Sequence, residues 1–192
     1  MKKVSIAIAS VFAICVLGAV LFLNSLPAAE QVKSGPQVGE DVPGPFHPLN
    51  VTGEDAGKKA CLYCKNGNNP VAMVFAREVS PSLTKLIKKI DTCTGKHSDC
   101  KMGSFVVFLS DEEKLTDQLK DVAKKESIDR TVLSIDNPAG PKGYNVIQDA
   151  DVTVVLYTKH TVKANYAFKK GELKDKDIDK IMADVSKILP KE

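Results

Sequence analysis

The chain has 192 residues, 43% of them hydrophobic and 27% charged. That is enough for one domain with a real core, so folding does not depend on disulfide staples as it does in miniature secreted domains. The 27 basic and 24 acidic residues are intermixed and leave a net charge of +3, which offers no electrostatic footprint for nucleic acid.

At the start, Lys2 and Lys3 precede an apolar run from Val4 to Leu23, followed by Asn24-Ser25-Leu26-Pro27-Ala28-Ala29. A charged start, an apolar stretch and small residues are the layout of an export signal. Residues 1–29 are therefore expected to be a signal peptide cleaved near Ala28 or Ala29. The alternative is a retained anchor, since the run is nearly long enough to span a bilayer. Cys15 lies inside the run after Ile14 and reads as apolar filler. The implied location is extracytoplasmic, periplasmic or secreted, with membrane contact only through this segment if it is uncleaved. Outside the cytoplasm thiols oxidise, and Cys61, Cys64, Cys93 and Cys100 form an even set.

Residues 30–45 are rich in Gly and Pro and lack a helical period, so they read as a linker passing into an extended lead-in segment. The domain is expected over residues 46–192. Val71 to Ala76 is an apolar run that suits a buried strand. Ser80-Pro81 supplies an N-cap and first-turn proline for a helix with Leu83, Leu86, Ile87 and Ile90 on one face. Phe105 to Leu109 predicts a second strand. Ser110 and Glu113 suggest a capping box for a helix with Leu115, Leu119, Val122 and Ala123 inward. Thr131 to Ile135 predicts a third strand. Val152 to Tyr157 and Val162 to Phe168 predict an antiparallel hairpin turning at Thr158 to Thr161. A last helix begins near Asp175, with Ile178, Ile181, Val185 and Ile188 inward. The order βαβαβ then ββα defines an α/β three-layer sandwich with a mixed central sheet.

This order, together with local motifs, resembles the thioredoxin-like superfamily, in its exported redoxin and peroxiredoxin-like branch. Val38-Gly39-Glu40-Asp41-Val42-Pro43 with Phe46 is similar to that branch's "VGxxaPxF" opening, and Val51-Thr52-Gly53 to the "dG" turn after it. Val71 to Ala76 resembles the strand ending "nFWA". Tyr144-Asn145-Val146 leading into Val152 to Tyr157 resembles "YgV…PttfliD". The resemblance covers most of the chain beyond residue 38.

The usual mechanism does not carry over. In that family the redox cysteines follow the first core strand and open the next helix, whose N-terminus stabilises a thiolate. Here Ser80 and Leu83 occupy those two positions, and a serine hydroxyl forms no disulfide. The proline that precedes the fourth strand in relatives is also missing, with Asp151 and Val152 in its place; without it a cis peptide bond is not expected.

Chemistry then rests on the other cysteines. Cys61 and Cys64 form a C-x2-C pair upstream of the first core strand, followed by Lys65-Asn66-Gly67-Asn68-Asn69-Pro70, which reads as turn rather than helix. Lys58, Lys59 and Lys65 would lower a thiol pKa modestly. Cys93 and Cys100 bracket a loop at the end of the first core helix. Three readings stay open. One is two structural disulfides, either Cys61–Cys64 with Cys93–Cys100 or a crossed pairing, making the domain a stapled binding module. A second is thiol–disulfide exchange with protein thiols or disulfides at a displaced Cys61/Cys64 pair. A four-residue loop makes the weaker staple and the more reducible bond, and Cys61 is taken as the attacker by analogy with other such pairs. The third is a zinc site in which the Cys61/Cys64 knuckle is completed by Cys93, Cys100 or His97; the first two readings need no cofactor. His47 and His160 read as surface residues, and Asn50-Val51-Thr52 as a chance glycosylation tripeptide.

Overall fold

The structure is a computed structural model that describes residues 32–190; the predicted export segment, residues 1–29, lies outside them. Its elements in chain order are β1 (Leu49–Asn50), α1 (Leu62–Asn66), β2 (Val71–Ala76), α2 (Pro81–Lys96), β3 (Gly103–Leu109), α3 (Leu115–Glu126), β4 (Thr131–Asp136), β5 (Val152–Thr158), β6 (Thr161–Phe168) and α4 (Asp175–Asp184), closed by a 3₁₀ turn at Val185–Lys187.

The six strands form one mixed sheet in the order β1-β4-β3-β2-β5-β6. β2, β3 and β4 are parallel, β5 runs antiparallel to β2, and β1 is a two-residue antiparallel edge on β4. All six residues of β2 are buried because the strand lies between neighbours and is covered on both faces. Its run is apolar at every position for that reason.

The crossovers from β2 to β3 and from β3 to β4 step the same way across the sheet. Right-handed connections therefore put α2 and α3 on one face. Leu83, Leu86, Ile87 and Ile90 of α2, Leu115 and Leu119 of α3, and Ile178 and Ile181 of α4 pack there on Ala72, Val74, Val106 and Val154. The opposite face, carrying Met73, Phe75, Phe105, Val107 and Val155, is covered by irregular chain: Val42 and Phe46 of the lead-in segment, Leu62 of α1, and Tyr144 and Val146 of the 137–151 loop. Phe46 packs against Tyr144 and Phe75, with ring centroids 4.9 and 6.2 Å away.

The predicted strands and helices stand within a few residues of their observed bounds. Ser80 caps α2, its Oγ accepting the Leu83 N–H at 3.3 Å, with Pro81 in the first turn. The box predicted from Ser110 and Glu113 is not formed. Ser110 N–H donates to the Asp136 carbonyl, which keeps the residue in register with the sheet, and its Oγ accepts from Glu112. α3 then starts only at Leu115 behind Lys114, which makes no side-chain cap.

The lead-in segment is stitched to the sheet from Ser34 onward. Thr153 Oγ1 donates to Ser34 Oγ at 2.7 Å, and Asn165 Nδ2 donates to the carbonyls of Ser34 and Pro36. A buried chain of hydroxyls, Thr94 to Ser104 to Thr131, joins α2 to β3 and β4 in 2.8 Å steps. Asp91 adds to it by accepting the backbone N–H groups of Arg130 and Thr131, each at 2.7 Å.

Candidate functional site

The upper end of the sheet, where β2 and β3 finish, is where the resemblance puts Ser80 and Leu83 in place of a redox pair. Here it is closed. Ser80 is a helix cap, and Leu83 is wholly buried, so a sulfur at that place would not meet a partner. Arg77, just past β2, donates from Nε to the Ala150 carbonyl at 3.1 Å, from one terminal nitrogen to Pro138 at 2.9 Å and from the other to Ile147 at 3.0 Å. One guanidinium thus ties down the 137–151 loop, and the backbone N–H of Arg77 donates to Asp151. No peptide bond among the described residues is cis. Burial raises the Asp151 carboxyl above its ordinary pKa and the nearby Glu78 charge adds to this, against the pull of Lys170 and Arg77.

The lower end, where β2 and β3 begin, carries the cysteines. Cys61 and Cys64 are joined in a disulfide with Cα atoms 5.2 Å apart. Contrary to the turn read from the sequence, the stretch forms the single helical turn α1 with Cys61 as its N-cap: Cys61 Sγ accepts the Cys64 N–H at 3.1 Å. The disulfide itself draws the chain into this turn, and Leu62, buried under the sheet, anchors it. Gly67 closes it at φ +50°. Asn66 Nδ2 donates to the Leu62 carbonyl, and the Asn66 carboxamide lies against Gly103 so closely that a Cβ there would stand 1.8 Å from Oδ1.

Cys64 is an exposed residue and Cys61 a half-buried one. Lys65 does not serve the sulfurs: its Nζ pairs with Glu54 at 2.8 Å and with Asp55 at 3.8 Å, which raises its own pKa. Tyr63 stacks on His160, with centroids 4.7 Å apart. His160 is thus not a free surface residue. It is half-buried in the β5–β6 turn with Nδ1 enclosed, and it and Lys159 both adopt positive φ. Tyr157 beneath is buried, its hydroxyl held far above the ordinary pKa by burial. Asn50 is also buried, out of reach of glycosylation.

Cys93 and Cys100 reach the same lower end of the sheet, at the close of α2 and in the loop before β3, but as free thiols. The Cys93–Cys100 bridge is not formed in the structure. The Cys100 thiol donates to the His97 carbonyl at 3.2 Å, whereas Cys93 lines a groove with Lys89, Lys96 and Met182. Burial raises the Cys93 pKa, against the nearby Lys96 charge. Among the described residues, the metal-type donors that lie together are His97, Asp99 and Cys100, with ligand atoms all within 4.8 Å of one another. Cys61 and Cys64 are not in that group. The sequence reading missed Asp99 and Arg77. The H-x-D-C spacing in the loop was the available signal for the first; nothing local pointed to the second, whose partners lie 61 to 73 residues away.

No family model matches the chain, and no curated protein does either. Solved structures do. A proposed protein disulfide isomerase from Bacteroides thetaiotaomicron superposes with a TM-score of 0.62 at 15% identity, covering 82% of this chain and 94% of that one. A DsbF homologue from Corynebacterium diphtheriae gives 0.58 at 13% identity over 82% and 94%. A 2-Cys peroxiredoxin from Plasmodium vivax gives 0.58 at 17% identity over 79% and 81%. The fold is thioredoxin-like. Among the described residues no helix is long and apolar enough to cross a membrane.

Proposed function

We propose that this chain is an extracytoplasmic thiol–disulfide oxidoreductase that works through Cys61–Cys64, displaced to the end of the sheet opposite the usual site. The two ends are about 20 Å apart, the length of a six-residue strand. One observation carries the reading: the bond joins an exposed residue, Cys64, to a half-buried one, Cys61, whose sulfur already accepts a backbone N–H. In thiol–disulfide exchange the attacked sulfur must be reachable and the leaving sulfur must tolerate negative charge. Cys64 meets the first need and Cys61 the second.

A partner thiolate attacks Cys64 Sγ, forming a mixed disulfide and expelling Cys61 as the thiolate, held by the Cys64 N–H. The partner's second thiolate then attacks the partner sulfur of that mixed bond and expels Cys64. The partner leaves as a disulfide, and the chain keeps two thiols and the two electrons. The reverse sequence reduces a partner disulfide. Thiol or disulfide proteins are the partners this chemistry fits, and the export-type N-terminal sequence supports an oxidising compartment. Cofactors are not needed for either direction.

A non-catalytic reading is favoured by Ser80 serving as a helix cap and Leu83 being buried where the resemblance expects the redox pair, which leaves the fold as a scaffold. Titrating the native chain against a glutathione redox buffer, with thiols counted by alkylation and mass spectrometry, separates the two. Exchange requires Cys61–Cys64 to open and close reversibly in the folded protein. It also requires the Cys61→Ser variant, with Cys64 free, to trap a mixed disulfide with oxidised glutathione faster than Cys64→Ser does. If the bond resists reduction until the protein unfolds, the scaffold reading stands.

A further inference from the structure

The loop between α2 and β3 brings together three side chains that metals use and that the exchange reaction does not: His97, Asp99 and Cys100. We infer that this loop is a zinc-binding site, separate from the disulfide. The donor set is one imidazole, one carboxylate and one thiolate, a borderline-soft combination that suits Zn²⁺. Its two negative charges balance the ion, so the neighbouring Lys96 and Lys101 face a neutral centre.

The dimensions suit the ion. In a tetrahedral site with metal–ligand bonds of about 2.0–2.3 Å, ligand atoms stand roughly 3.3–3.8 Å apart. Here they lie within 4.8 Å of one another, so they need close by only about 1 Å. The side chains have the freedom to do this: Asp99 is exposed, and His97 and Cys100 are half-buried.

The backbone does not need to move. Met102 N–H donates to the His97 carbonyl at 3.1 Å and Lys101 N–H to Ser98 at 3.1 Å, with Lys101 in the left-handed region at φ +57°. Met102, buried in the core, pins the far end of the loop, and α2 pins the near end. A loop held at both ends presents its donors in advance of the metal. Cys100 also borders a groove of about 530 Å³ with Asn69, Lys159 and Pro190, which gives the fourth coordination position access to water or a small ligand.

Binding replaces the Cys100 S–H with an S–Zn bond and releases that proton to solvent. The His97 carbonyl gives up the thiol but keeps the Met102 N–H. Proton release on loading is general for thiol ligands.

The test is a zinc titration of the reduced chain against a chromophoric chelator, with Co²⁺ as an optical probe of thiolate ligation. One equivalent of zinc should bind, and the Co²⁺ form should show a sulfur charge-transfer band. His97→Gln, Asp99→Asn and Cys100→Ser should each weaken binding at least about 10-fold, since losing even an outer-shell partner costs that much. The charge-transfer band should vanish only in Cys100→Ser. Asp99 is exposed, so Asp99→Asn remains informative if another variant folds poorly. The Cys61→Ser/Cys64→Ser double variant should keep its one equivalent. Substoichiometric zinc in the parent chain overturns the inference, and so does unchanged affinity in Asp99→Asn and Cys100→Ser. Loss of zinc in the double variant also overturns it, because the metal would then belong to the C-x2-C pair. None of these results bears on whether Cys61–Cys64 exchanges.

Discussion

Arg77, just past the end of β2, holds the Ala150 carbonyl through a 3.1 Å hydrogen bond from Nε. The guanidinium engages two further carbonyls, so it serves as a latch on the loop that carries Tyr144. Arg77→Ala should cost roughly 1–3 kcal/mol, because hydrogen bonds from a charged donor are lost and carbonyls are left without a partner. Arg77→Lys should recover only part of this, since a lysine cannot form a planar fork. Chemical denaturation measures the cost, and hydrogen exchange over residues 144–151 should rise in step. Unchanged exchange there would remove the latch.

The disulfide spans so short a loop that it contributes little as a staple. On chain-entropy grounds, its loss should cost no more than about 2 kcal/mol. Cys61→Ser/Cys64→Ser is therefore expected to fold with an intact core, which urea unfolding would show. A collapse of several kcal/mol would mean that α1 and the Leu62 contact depend on the bond.

Gly103 is a glycine because Asn66 occupies the space a Cβ would take. Gly103→Ala should push the Asn66 side chain aside and break its bond to Leu62, at about 1 kcal/mol. The loosened turn should also make Cys61–Cys64 faster to reduce with a small dithiol. A stability loss with no change in reduction rate would show that α1 does not feel the strand beneath it.

Asp151 sits in an environment that raises its carboxyl pKa. A raised folded-state pKa means the protonated form fits the fold better. Its contribution is complete below the ordinary value of 3.8 and is lost as pH rises through the elevated one. Asp151→Asn should therefore stabilise the protein at neutral pH, and the gain should fade as the wild-type carboxyl protonates in acid. Thermal melts across that range decide it: a gain that persists undiminished in acid would point to a cause other than charge.

The chain itself determined the elements with strong local signals. Val71 to Ala76 is apolar at every position because it lies at the centre of a covered sheet, and Ser80-Pro81 starts a helix because a hydroxyl and a fixed φ satisfy its first turn. The resemblance also put Ser80 and Leu83 where a redox pair is expected, and the structure makes the first a helix cap and buries the second. The one-turn helix at Cys61 was not visible, because a disulfide whose formation the spacing left open and the buried Leu62 hold it against the turn-forming Asn66-Gly67 that follows. Nor was the Arg77 latch, whose partners become neighbours only when β5 pairs with β2. Spacing could name Cys61, Cys64, Cys93, Cys100 and His97 as candidates without saying which of them meet. Folding separated them, placing one pair in a bond at the foot of β2 and grouping His97 and Cys100 with Asp99 in the loop before β3. Each group is close in sequence, so spacing could suggest it; which sulfurs bond, and that the two groups stay apart, follows from packing, which only the tertiary structure supplies.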